Sequence, residues 1–189
     1  MRHSVLFLLA AMIASPAIGA DDIADQASKA FQIFAGSKSQ PDFATGGYGK
    51  SLLGDVAGTW VALSGPQPGS GIETYGADVD RTCATPAAFK LASPNPLTMT
   101  MTAKPLDKEF SQSYTLVVGS IFAERTEPEP YFAAIGLGPE KVGPEFDQRR
   151  AVALSIANSM VQIYRPSVDI IVLTRGGNYP TVLARCPKS

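Results

Sequence analysis

The stretch Leu97-Thr98-Met99-Thr100-Met101-Thr102 alternates apolar and hydroxyl side chains with a period of two. Successive side chains of a strand point to opposite faces, so this segment offers one dry face (Leu97, Met99, Met101) and one wet face of threonines. A helix would scatter the same residues around its axis. The pattern demands a sheet with one buried side. Comparable short runs follow Gly58: Trp60–Ser64, Ile72–Tyr75, Phe89–Leu91, Ser113–Val118, Ile121–Arg125, Tyr131–Ile135, Ser159–Tyr164, Val168–Thr174 and Thr181–Cys186. Turn-forming punctuation separates them at Gly65–Gly71, Pro94-Asn95-Pro96, Gly119-Ser120, Glu127–Pro130, Gly136–Pro144, Arg165-Pro166-Ser167 and Arg175–Asn178. Residues 145–158 admit a short helix through Phe146, Arg149, Arg150, Val152 and Ala153, but the run Ala151–Ile156 favours a strand.

The chain holds 17 Gly and 15 Pro in 189 residues, and charged residues make up 17%. That composition suits many short strands joined by tight turns better than a helical bundle. Closing the strands into one small antiparallel β-barrel is the economical way to protect their edges. A two-sheet sandwich is the rival. Ahead of the strands, Ile23, Ala27, Ala30, Phe31 and Phe34 recur at intervals of three and four, which predicts an amphipathic helix over 22–35 ending near Gly36. The organisation read from the sequence is therefore 1–20 leader, 21–54 N-terminal helix and irregular lead-in, and 55–189 barrel domain.

Residues 1–20 have the form of a signal peptide. Arg2 and His3 precede an apolar run from Val5 to Ile13, and small residues lead to cleavage near Gly19-Ala20, before Asp21-Asp22. The run is short for a membrane span. The expected location is the periplasm, or outside the cell, with no stable membrane insertion. Sixteen Lys+Arg against 17 Asp+Glu give a net charge of -1, which favours neither nucleic acid nor an anionic surface as a partner. In an oxidising compartment the two cysteines, Cys83 and Cys186, most simply form one structural disulfide.

The single histidine, His3, lies in the leader. The mature chain would lack the commonest general base and metal ligand. No G-x-S-x-G or C-x-x-C motif is present, and Tyr48-Gly49-Lys50-Ser51 and Gly69-Ser70-Gly71 lack the rest of a phosphate loop. The expectation is a protein that is not an enzyme, with no catalytic residues, metal or cofactor. Of the available carboxylates (Glu73, Asp78, Asp80, Glu109, Glu124 and Asp169), none has a partner assigned by spacing. Asp169 interrupts an apolar run, on the parity that would face water. Arg149-Arg150, beside Glu145 and Asp147, reads as a solvated face or an anion patch.

Gly58-Thr59-Trp60, opening the strand region after a helix, resembles the G-x-W motif of lipocalins and related calycin barrels. The resemblance implies an eight-stranded cup, with Trp60 at its floor under a basic residue from a late strand, Arg185 first and Arg175 second. It also implies a late cysteine, Cys186, tying the C-terminal segment to the barrel. Small periplasmic barrels that inhibit proteases or lysozyme share the Gly-x-Trp opening. Lipocalins mostly hold small apolar molecules. In such a cup Trp60, Met99, Met101, Tyr114, Leu116 and Ile163 would line the ligand cavity, although a core role is the favoured reading of Trp60 and the methionines taken singly. The two readings are a small apolar ligand inside the barrel, or a periplasmic protein met by the loops at 65–71 and 126–144, with Tyr131 and Phe132 as contacts.

Overall fold

The structure is a computed structural model that describes residues 23–30, 52–63, 74–85, 87–175 and 180–187, with backbone alone for 74–78. The described residues form a closed barrel of eight antiparallel strands, each bonded to the next in sequence and the last to the first. The strands are β1 (Gly58–Leu63), β2 (Phe89–Asn95), β3 (Thr98–Ala103), β4 (Phe110–Val118), β5 (Ile121–Thr126), β6 (Met160–Ser167), β7 (Ile170–Thr174) and β8 (Thr181–Arg185). Closure pairs Trp60 with Arg185 and Leu63 with Val182. Among the described strands no edge is left for another chain to extend.

The period-two reading places Met99 and Met101 on the interior face, but Leu97, expected beside them, lies in the turn before β3 and is 44% exposed. Met99 pairs with Tyr114, and Leu91 with Met101. These side chains join Trp60, Phe89, Phe122, Val161, Ile163, Ile171, Leu173 and Leu183 in one cluster drawn from all eight strands, which is the barrel interior. The opposite parity of β1, β6, β7 and β8 carries Val61, Leu63, Tyr164, Ile170, Val172, Val182 and Ala184. Those strands are apolar on both faces because helices cover them outside. Helix α1 (residues 23–30) contributes Ile23, Ala27 and Ala30, and α2 (Thr74–Cys83) contributes Val79. Cys83 and Cys186 form the expected disulfide, with Cα atoms 5.7 Å apart. It joins the end of α2 to the residue after β8.

Three stretches expected as strands are otherwise. Thr74 and Tyr75, at the end of the Ile72–Tyr75 run, begin α2. Tyr131–Ala134 belongs to α3 (Pro128–Ala134), and 145–157 belongs to α4 (Pro144–Ala157). Each of these two helices has proline in its first turn, where the missing N–H costs nothing and φ is already helical. Glu129 in one, and Glu145 and Asp147 in the other, complement the helix dipole. These start signals outweigh the β-branched and aromatic content. The loop at 65–71 and the predicted helix beyond residue 30 lie outside the described residues.

Strand directions define two ends. At one, the hairpin turns after β2, β4 and β6 meet the segment entering β1. At the other, the connections after β1, β3, β5 and β7 gather, and these include α2, α3 and α4.

Candidate functional site at the mouth of the barrel

The end where β1 begins is sealed. Trp60 is 0% exposed. Its indole N–H donates to the Val56 carbonyl at 2.9 Å, and the Arg185 guanidinium lies 4.6 Å from the ring centre. Arg185 also donates to the carbonyls of Ala57, Asp55 and Val168, and its Nε sits 3.0 Å from Asp169 Oδ1. Arg165 donates to the carbonyls of Leu52, Gly54, Asp55 and Val168. Two arginines thus fasten the entering segment across the opening, and Leu52, Leu53 and Val56 are pressed beneath Trp60. Gly58 has φ +150, and a Cβ there would stand 3.0 Å from Arg185 Nη1. Glycine is required at that position for both reasons. Asp169 does not face water: it is 8% exposed and pairs with Arg185. Arg175 is not the residue over Trp60.

The opposite end is different. Interior residues become polar and partly exposed toward it. Ala62, on the face of Trp60, is exposed, while Met101, Ala103, Phe110 and Thr181 are half-buried. Glu124 is 0% exposed, and Arg175 holds it with two N–H groups. Nε donates to Oε2 at 2.9 Å and Nη2 donates to Oε1. Ser159 adds a hydroxyl 3.4 Å from Oε2. Beside the pair, the Tyr114 hydroxyl donates to Gln112 Oε1 at 3.1 Å, and Gln112 Nε2 donates to the Ala157 carbonyl. Burial, then the Glu124 charge, pushes the Tyr114 phenol well above its ordinary range. The same two causes raise Tyr131, on α3. The bonds to Glu124 raise Arg175 further and keep it charged. Tyr131 packs on Phe110, with ring centres 5.4 Å apart.

The six residues expected to line a cavity share the interior. Trp60, Met99, Tyr114 and Ile163 are buried there against one another. Met101 and Leu116 are partly buried at the margin of that cluster. Tyr114 lies beside the polar pair, since it faces Glu124, and Met101 faces Gln112, to which the Tyr114 hydroxyl donates. Trp60 belongs to the sealed end. Of the carboxylates, Asp80 and Glu109 are exposed, Glu124 and Asp169 are buried, and Glu73 and the Asp78 side chain lie outside the described residues. Arg150 is not a free anion patch: it donates to the carbonyls of Leu137, Gly138 and Lys141 and to Asp147, holding α4 to the preceding loop. Arg149 lies over the Phe146 ring.

Glu124 shares its parity with Phe122 and Thr126, and Arg175 continues the row Ile171, Leu173, so parity alone could have marked each as an interior charge. What the sequence lacked was the closure that sets those rows across from each other. Among the described residues no three His, Cys, Asp or Glu side chains gather as a metal-binding group, and no helix is long and apolar enough to cross a membrane. No protein-family model, curated protein or solved structure matches the chain.

Proposed function

We propose that the chain is an exported, non-catalytic binding protein whose barrel takes a small, largely apolar molecule at its mouth. The observation that carries this reading is the contrast between the two ends of one interior. One is closed by Trp60, Arg185 and the entering segment. The other leaves Ala62, Met101, Phe110 and Tyr131 in partial contact with solvent around a buried ion pair. Apolar surface beside a few placed polar groups is the usual make-up of a small-molecule site. The leader over residues 1–20 and the Cys83–Cys186 bond support an oxidising compartment such as the periplasm.

A neutral fluorescent probe, N-phenyl-1-naphthylamine, tests the reading. Saturable one-to-one binding should occur in the mature protein and weaken in Phe110→Ser and Tyr131→Ser. Absence of saturable binding would overturn it.

The second reading is a protein partner met by the connection between β5 and β6. Val142, Val152 and Ile156 are exposed along it, and Met160 is exposed at the start of β6. If that reading holds, Val152→Glu/Ile156→Glu abolishes co-purification of a periplasmic protein while probe binding at the mouth stays as it was.

A further inference from the structure

The turn between β3 and β4 breaks a local rule. The Lys108 N–H donates to the Pro105 carbonyl at 2.9 Å, and the two residues between them, Leu106 and Asp107, have φ of 50° and 59°. Two positive φ values in succession mark a turn of type I′, whose central positions favour Gly, Asn and Asp. Asp107 suits its place. Leucine does not, because its Cβ crowds the backbone in the left-handed region. Burial does not offset that cost, since Leu106 is 72% exposed. Its side chain leans toward the end of α3, where a Cβ on Gly136 would stand 4.0 Å from Leu106 Cδ1. An aliphatic side chain held out in water, on a backbone it disfavours, contributes little to the fold. Such local conflicts cluster at binding sites.

The β3–β4 hairpin leads from the interior to this residue. Along β3, Met99 is buried, Met101 and Ala103 are half-buried, and Leu106 lies three residues further on. Their partners on β4 are Tyr114, Gln112 and Phe110. Phe110 meets Tyr131 of α3 with ring centres 5.4 Å apart, and Leu106 approaches the same helix just past its end. Ile135, at that end, is 38% exposed. From this arrangement we infer that Leu106 is the outermost ligand contact at the mouth, and that the ligand is an extended apolar chain reaching past Phe110 to it. This rests on the mouth reading above and names the shape of what that site takes. A compact molecule would be held beside Met101 and Phe110 and would leave Leu106 uncovered.

Calorimetric titration of the protein with hexanol, octanol and decanol, each below its solubility limit, tests the contact. Affinity should rise with each step in chain length. Leu106→Asn suits the turn and should raise the urea midpoint. The same variant should lower decanol affinity about fivefold, the share of one partly covered leucine, and leave hexanol affinity unchanged. Equal decanol affinity in parent and variant, affinity that stops growing at hexanol, or no alcohol binding at all would overturn the rim contact. Saturable binding of the naphthylamine probe alongside any of these would leave the mouth reading intact. A lowered midpoint with equal losses for all three alcohols would make Leu106 a fastening for α3, and would overturn the contact too. Binding of no alcohol and of no probe would overturn both readings.

Discussion

The two ends of the barrel each bury an arginine–carboxylate pair, and they use it differently. Arg185 is occupied on every side: Asp169, three backbone carbonyls and the Trp60 face take its donors and its plane. Arg175 gives two bonds to Glu124 and meets the Tyr114 side chain, with its own side chain 21% exposed. The first arrangement closes one end of the barrel, and the second lies among interior side chains toward the other. A buried ion pair is weak evidence of stabilisation, because desolvation offsets much of the attraction.

The comparison can be broken first at the open end. Arg175→Ala leaves Glu124 buried without a counter-charge and should cost about 3–5 kcal/mol in urea denaturation. The double variant Glu124→Leu/Arg175→Met should retain parent stability, or gain slightly. A double variant as unstable as Arg175→Ala would show that the pair is needed for the fold. Next, Cys83→Ala/Cys186→Ala opens a link across 103 residues. It should cost about 2–5 kcal/mol, seen as a lower denaturation midpoint. Ligand affinity should be unaltered, because the bond sits outside the barrel with α2.

At the sealed end, Trp60→Phe removes the bond to Val56 and leaves that carbonyl unpaired. The expected loss is about 1–3 kcal/mol, with no change in probe binding. The smallest effect is alkaline. Tyr114 and Tyr131 have raised pKa values in the fold. Their contribution is fully present below the ordinary phenol value near 10, and it is lost as rising pH ionises the unfolded chain first. Through the buried Tyr114, stability at pH 11 should fall by about 1 kcal/mol relative to pH 9, and Tyr114→Phe should flatten that slope.

The barrel was legible because its information is local. Thr98–Ala103 states its own faces, and Gly58, Trp60 and Arg185 carry the closed end almost in full. The disulfide followed from counting. The misread elements, α2, α3 and α4, lie within connections at the open end. Their helical start signals (Pro128 with Glu129, Pro144 with Glu145 and Asp147) competed with aromatic and β-branched residues that also suit strands. The site was harder still. Glu124 and Arg175 stand 51 positions apart, and only closure brings them together. Asp169 illustrates the same limit. Its strand parity pointed to water, but it occupies a turn beneath Arg185, where parity no longer applies.

The distinction between the two ends is open to one direct observation. Protein labelled at methionine methyls and at nitrogen would be titrated with N-phenyl-1-naphthylamine and followed by NMR. The account predicts saturable shifts at the Met101 methyl and the Arg175 Nε–H, with the Trp60 indole N–H unmoved. Shifts at the Trp60 indole while Met101 and Arg175 stay silent would contradict it.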